Sequence, residues 1–391
     1  MYYVGIDISK YKHDCFIINH NGEIIRNSFS FENTKKGFDE FLTAIKSLDC
    51  SQIIKIGLEA TGHYGINLKL FLNDNNLSFM EINPLTLNRY IKGITLRSCK
   101  TDKIDAEHIA FFLSDPRVSY KPYRFSSYHI QELKSLTRER ESLIKERSKQ
   151  LVKITNILDK IFPEFKKFFD NKLSNTAIYI LDKYKSPSRI ASWSNSDLEK
   201  IHNHSRKIPI SKFATLRSLA KNTIGKENKY LLSLLKSILN IYHTIDNEVS
   251  NITTQIEEIM NQYDSPITSI PGISSLTAAQ LIAEFEDISR FDNPNQMLAY
   301  SGLEPSRSES GTMGKNGKMV KHGSGHLRYA LFNIVPTLCI HNPTFASYYH
   351  KKRYEDNKPY RVAQSHVIKK LIRVIFKLEK DNIKFDINLL K

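Results

Sequence analysis

The order of hydrophobic patterns over residues 1–125 constrains this chain most. Tyr2–Ile8 is apolar and β-branched, which marks a buried strand. His13–Asn19 and Glu23–Phe31 read as a second and third strand. Asn21-Gly22 lies between them, a strong hairpin signal because both residues tolerate the positive φ of a tight turn. Thr34 caps a helical run with Phe38, Phe41, Leu42, Ile45 and Leu48 on one face. Gln52–Glu59 is a fourth strand, Tyr64–Leu72 a helix, Leu77–Ile82 a fifth strand and Asp102–Leu113 a helix. A hairpin feeding β-α-β units predicts a mixed sheet with helices packed on it, an α/β domain over 1–125.

The next region, 126–264, is expected to be helical, with coiled-coil character. Ile130, Leu133, Thr137, Arg140, Ile144, Arg147, Leu151, Ile154, Leu158 and Ile161 recur at alternating steps of three and four. A second stripe runs Leu231, Ile238, Ile245, Ile252, Ile259. Two such helices can pair with each other as a hairpin or form an arm that binds a second subunit, and seam residues look alike in both. Residues 166–226 read as shorter helices, with Pro187 and Pro209 as breaks.

Pro266 and Pro271-Gly272 open a third, mostly helical domain over 265–391. Ser269-Ile270-Pro271-Gly272-Ile273 leads into Leu276–Phe285 and resembles a helix-hairpin-helix element, whose backbone N–H groups can face a phosphate; a plain turn and cap reads equally well. Ser301–Gly325, rich in Gly, Ser and Lys, reads as a mobile basic loop. A helix is expected over His326–Ile340. A last one over Val362–Leu378 carries Lys369, Lys370, Arg373 and Lys377 beside apolar residues, a basic amphipathic pattern.

The chain carries a formal charge of +16, unevenly spread. Residues 1–125 hold 16 basic and 14 acidic side chains, whereas residues 301–391 hold 17 and 7. A polyanion is the natural partner of such a surface. Cys15, Cys50, Cys99 and Cys339 form no C-x-x-C pair, which argues against a zinc site or a disulfide framework and fits a reduced cytoplasmic compartment. The N-terminus lacks the pattern of a signal peptide, and no apolar run is long enough to span a membrane.

Four carboxylates stand out. Asp7 lies near the end of the first strand and Glu59 at the end of the fourth; if those strands are neighbours, both emerge at one sheet edge. Asp102 and Asp105 open the last helix of the domain on one face. Converging carboxylates repel unless a cation joins them, and oxygen-only ligands suit Mg²⁺ or Mn²⁺. Taken singly, Asp102 and Asp105 also fit an ordinary helix start, Asp7 a turn and Glu59 a surface position.

Gly5-Ile6-Asp7-Ile8-Ser9-Lys10, Glu59-Ala60-Thr61-Gly62 and Lys100-Thr101-Asp102-Lys103-Ile104-Asp105-Ala106 resemble the DEDD transposases of bacterial insertion sequences, a family that includes Piv-type invertases and bridge-RNA-guided recombinases. Ile270-Pro271-Gly272-Ile273, Ala299-Tyr300-Ser301-Gly302-Leu303-Glu304-Pro305, Ser310-Gly311 and Lys321-His322-Gly323-Ser324-Gly325-His326-Leu327-Arg328 follow the family's second block in order. The resemblance implies an RNase H/RuvC-like N-terminal domain binding Mg²⁺ through Asp7, Glu59, Asp102 and Asp105. It also implies a C-terminal transposase domain whose nucleophile is Ser310, attacking DNA to form a phosphoserine in a composite active site. Donor and target DNA, a structured guide RNA, a dimeric or tetrameric homo-oligomer and a place at the bacterial nucleoid follow from the same resemblance. The residues alone do not choose Ser310 over Ser306 or Ser308, and Glu309 puts a negative charge where many relatives are neutral.

Three other readings compete. A RuvC-like structure-specific endonuclease would use the carboxylates without a serine. An actin-like kinase shares the G-I-D strand but needs further Gly-rich phosphate loops. A non-enzymatic DNA-binding scaffold would tolerate loss of Asp7 or Glu59.

Overall fold

The computed structural model describes residues 1–49, 51–60, 62–94, 102–123, 128–310 and 313–387. The chain divides into two compact units, Met1–Phe125 and Ser126–Lys391.

The first unit contains β1 (Tyr2–Ile8), β2 (Lys12–Asn19), β3 (Ile24–Glu32), α1 (Lys35–Lys46), β4 (Ile54–Glu59), α2 (Ile66–Asp74), β5 (Phe79–Ile82), α3 (Pro84–Ile94) and α4 (Asp102–Ser114). Its five-stranded sheet has the order β3-β2-β1-β4-β5. The pairs β1–β2 and β2–β3 are antiparallel, and β1–β4 and β4–β5 parallel. The expected mixed α/β sheet is present. At the β2–β3 turn Gly22 takes φ +80°, and Asn19 Oδ1 accepts hydrogen bonds from the backbone N–H groups of Asn21 and Glu23. Thr34 Oγ1 accepts from Gly37 N at 3.2 Å and starts α1.

Alternation along the strands sends side chains to two faces. Val4, Ile6, Ile8, Cys15, Ile17, Ile56 and Leu58 pack with Phe38 and Phe41 of α1 and Leu68 and Leu72 of α2. On the other face Phe16 and Ile18 meet Ala106 and Ala110 of α4. The sheet is thus covered on both sides, which explains why β2 is buried almost throughout. Helix α3 was not expected from the apolar pattern. Its signal is the Asn83-Pro84 pair, a capping residue followed by proline in the first turn, and Asn83 Oδ1 accepts from Leu85 N at 2.8 Å.

The second unit begins with α5 (Tyr128–Ile161), followed by α6 (Pro163–Phe168), α7 (Asn175–Tyr184), α8 (Pro187–Ala191), α9 (Asn195–His204), α10 (Ile210–Lys221) and α11 (Lys229–Asn261). Then come α12 (Ser275–Phe285), α13 (Pro294–Tyr300), β6 (Pro305–Ser310), β7 (Met313–Met319), α14 (Gly325–His341), α15 (Pro343–His350) and α16 (Tyr360–Asp381). Helices α5 and α11 pair with each other in antiparallel fashion. The two arginines that interrupt the apolar stripe are used in this seam: Arg140 Nε donates to Thr253 Oγ1 at 2.8 Å, and Arg147 pairs with Asp246. One apolar core gathers the short helices α6–α10 at the far end of this hairpin; another joins its near end to α12, α14 and α16. Pro187 and Pro209 mark helix starts, at the first turn of α8 and the N-cap of α10.

The loop expected over Ser301–Gly325 is instead built around an antiparallel hairpin, β6 with β7. A polar two-stranded ribbon gives no apolar alternation to read; its pairing is made by backbone hydrogen bonds. Among the described residues no helix is long and apolar enough to cross a membrane.

Candidate active site

The carboxylate edge is built by glycine. Strands β1 and β4 pair in parallel with Gly5 opposite Gly57 and Ile6 opposite Leu58. Asp7 and Glu59 stand one step further on, at the same end of strands spaced about 4.8 Å apart. Alternation puts Gly5 and Asp7 on one face of the sheet, and Gly57 and Glu59 on the same face. That face receives α4. A Cβ on Gly5 would lie 2.5 Å from Ala110 N and closer still to the Ala106 carbonyl. One on Gly57 would lie 2.8 Å from Leu113 Cδ1. Gly5 therefore lets the α4 backbone rest on β1, and Gly57 makes room for the side chains of Ile109 and Leu113 of the same helix. Asp105 immediately precedes Ala106 on that seated helix and is half-buried; Asp102 opens the helix one turn earlier, and its side chain lies outside the described residues.

Among the described residues no group of three or more His, Cys, Asp or Glu side chains stands ready to hold a metal ion. The donor chemistry of Asp7, Glu59 and Asp105 is all oxygen, which fits a hard divalent cation and not a soft one.

One acidic residue at this edge was missed in the sequence. Asp14 pairs across β1–β2 with Asp7, so both side chains leave the same face. It is 1% exposed, accepts from Ser30 Oγ at 2.5 Å and places Oδ2 3.3 Å from Lys12 Nζ. A charged residue inside an otherwise buried strand was the available signal. On the opposite face lies His13, wholly buried between Phe31 and Phe38. Burial holds its pKa down to about 4, against smaller opposing pulls from Asn33 and Asp14.

In the second unit, Ser310 is the last paired residue of β6, opposite Met313. Ser308 pairs with Lys315, deeper in the ribbon. The side chains of 306–310 and the residues Gly311 and Thr312 lie outside the described residues. The hairpin's neck is closely packed. Gly302 has φ +66°, and a Cβ there would meet Arg328 Nη1 at 2.5 Å and Gly323 N at 2.9 Å. Ser324 caps α14, its Oγ accepting from Leu327 N and donating to Glu284 Oε2 at 2.7 Å. Arg138 of α5 binds the same carboxylate through Nε at 2.7 Å and Nη2 at 3.1 Å. Burial alone would raise the Glu284 pKa. Hydrogen bonds from Arg138 and Ser324, with the charges of Arg138 and Lys134, outweigh it and hold the pKa below the ordinary value. Beside this pair, His326 Nδ1 lies 2.8 Å from Glu141 Oε2. The helix-hairpin-helix-like segment has Gly272 at φ +95°, with Ser274 Oγ accepting from Thr277 N at the start of α12.

Comparison with known proteins gives these arrangements a context. A family model for DEDD transposases of the IS110 group matches residues 4–163, a span holding Asp7, Glu59, Asp102 and Asp105. A second, for transposases of the IS116/IS110/IS902 family, matches residues 264–350 and includes Ser310. The 44.8 kDa protein of insertion element IS116 from Streptomyces clavuligerus is 22% identical over 90% of this chain and 88% of its own length. The pilin gene-inverting protein of Moraxella lacunata is 22% identical over 98% of this chain and 97% of its own. The 42 kDa protein of insertion element IS900 from Mycobacterium paratuberculosis is 22% identical over 97% and 96%. With both blocks matched in order and relatives aligned along nearly its whole length, the chain belongs to the IS110-type family of transposases and is a DNA transposase or recombinase.

Proposed function

We propose that this enzyme cuts and rejoins DNA strands through a phosphoserine, with Asp7, Glu59, Asp102 and Asp105 holding Mg²⁺, or Mn²⁺ in its place, in a domain of RNase H/RuvC type. The observation that carries the reading is the common edge: Asp7 and Glu59 end neighbouring parallel strands, and α4 is seated beside them on Gly5 and Gly57. A divalent cation bound there would stabilise negative charge developing on phosphate oxygens and favour an ionised attacking oxygen. Ser310 Oγ attacks a DNA phosphorus and displaces a deoxyribose hydroxyl, leaving a phosphoserine. Attack by a hydroxyl of a second strand then releases the serine and restores a phosphodiester. The position of Ser310 next to the hairpin turn, more distal than Ser308, supports it as the nucleophile.

The relative named for pilin gene inversion supports site-specific exchange between donor and target DNA. A structured guide RNA, a homo-oligomeric assembly and action at the nucleoid in the bacterial cytoplasm complete the proposal. The excess of basic residues suits nucleic-acid partners.

The test is a denaturing gel after incubation with Mg²⁺ and a branched or element-end DNA substrate. The expected result is a protein–DNA adduct that disappears in Ser310→Ala and persists in Ser306→Ala and Ser308→Ala. Free cleaved ends without an adduct, unchanged by Ser310→Ala, would overturn the serine mechanism in favour of a RuvC-like endonuclease.

A further inference from the structure

The basic C-terminal helix has no role in the chemistry above, and from residue 351 onward the chain lies outside both matched family stretches. It lines a groove of about 430 Å³. One wall carries Lys369, Arg373 and Lys377, spaced four residues apart along α16. At 1.5 Å per residue their stems are about 6 Å apart along the helix axis, close to the phosphate step of an extended strand. Lys370 adds a fourth cation, its Nζ 5.3 Å from the ring centre of Tyr348. None of these four is ion-paired among the described residues, although surface cations elsewhere in the unit find carboxylates. The local field is positive enough to act on His366: burial first, then the charges of Lys352, Lys358 and Lys369, push its pKa below the ordinary value.

The floor differs from the wall. Val374, Leu378, Ile383 and Phe385 make it apolar, Tyr348 adds a second aromatic ring, and Asp386 sets one carboxylate on the lining against the four cations. A row of unpaired cations over an apolar, aromatic floor matches a phosphate backbone whose bases are free to turn inward. A duplex hides its base faces and cannot use such a floor. An RNA strand would bring a hydroxyl on every sugar, for which the lining offers besides its cations the Tyr348 hydroxyl, the His366 ring and the Asp386 carboxylate, fewer groups than the apolar floor gives to bases.

We propose that this groove binds single-stranded DNA, with Lys369, Arg373 and Lys377 on successive phosphates and Tyr348 and Phe385 against the bases. Strand exchange separates DNA strands, so such a ligand arises beside the enzyme during its own reaction.

The test uses the full-length protein in EDTA, which removes the carboxylate chemistry from the measurement. Fluorescence anisotropy follows a dodecamer of thymidylate, a dodecamer of uridylate and a mixed-sequence DNA duplex of the same length. Neutralising Lys369, Arg373 and Lys377 together to Gln removes three contacts. Single-strand affinity is expected to fall about 100-fold at 0.1 M salt, and the slope of log affinity against log salt to shrink by about 2. Duplex affinity should stay within about twofold of the native value. Swapping Lys and Arg at the three positions should preserve binding, and Tyr348→Leu should weaken the thymidylate strand about tenfold. The proposal is overturned if the Gln variant, folded by circular dichroism, binds thymidylate as the native protein does. It is equally overturned if the loss falls alike on duplex or only on uridylate. If the Gln variant does not fold, an unchanged affinity in Tyr348→Leu decides against it.

Discussion

The carboxylate edge and the serine hairpin solve opposite problems of positioning. At the edge the functional groups stand on buried strands, fixed by backbone pairing and by a helix pressed onto two glycines. At the hairpin Ser310 stands near the end of a polar ribbon whose neck is anchored through Gly302, Ser324 and the Arg138–Glu284 pair. If the carboxylates share one cation, as proposed, they need positions fixed within a fraction of an ångström, which a packed sheet provides. The proposed nucleophile stands instead on a two-stranded ribbon, beside its last paired residues.

The comparison can be broken first through activity. Glu59→Gln and Ser310→Ala should each lower strand transfer by about 10³-fold or more, as loss of a principal catalytic group does. The two should part in a binding assay: Glu59→Gln should weaken Mn²⁺ binding measured by titration calorimetry, and Ser310→Ala should leave it unchanged. Equal metal affinity in both variants would remove Glu59 from the metal site.

Stability sharpens the contrast next. Gly5→Ala forces a methyl into the α4 backbone, so the N-terminal unit should lose about 3 kcal/mol or more in urea denaturation. The acid response of that unit should be similar in size. The folded pKa of His13 lies near 4, below its ordinary 6.5, so burial of the neutral ring contributes full stability above about pH 6.5. That contribution fades as pH falls, with about 3 kcal/mol lost by pH 4. Melting curves between pH 7 and pH 4 should therefore flatten in His13→Phe, and an equal pH dependence in that variant would discard the assignment.

The smallest effect is expected at the hairpin neck. Gly302→Ala places a side chain at φ +66° against Arg328, costing about 1–2 kcal/mol. It should speed amide exchange in β6 and β7 while leaving exchange in α12 unchanged. A global loss of protection would show that the arm and its base unfold together.

Several of these features are legible in the chain itself. Asn21-Gly22, Thr34 and the alternation of β1 are local signals, and the elements they predict appear within a few residues of the expected bounds. The long stripes of α5 and α11 are equally plain. The ribbon β6–β7 left no trace because its sequence carries no apolar alternation, and Asp14 stood out only as a charge in a buried strand, since its place opposite Asp7 is set by strand pairing. The choice of Ser310 as the proposed nucleophile rests on its motif alone; from physical chemistry Ser306, Ser308 and Ser310 are equivalent loop residues.

The sequence by itself determined most of the strands and helices (though not α3, β6 or β7), where several of them start, and which stripe of the long ones is apolar. These follow from capping, turn chemistry and side-chain period within a few neighbouring residues. Only the tertiary structure decided that β1 lies beside β4, that α4 rests on Gly5 and Gly57, and that α5 folds back on α11 of the same chain. Those choices are made by packing between residues 50 to more than 100 positions apart, where many partners satisfy the same local pattern and only the assembled core selects one.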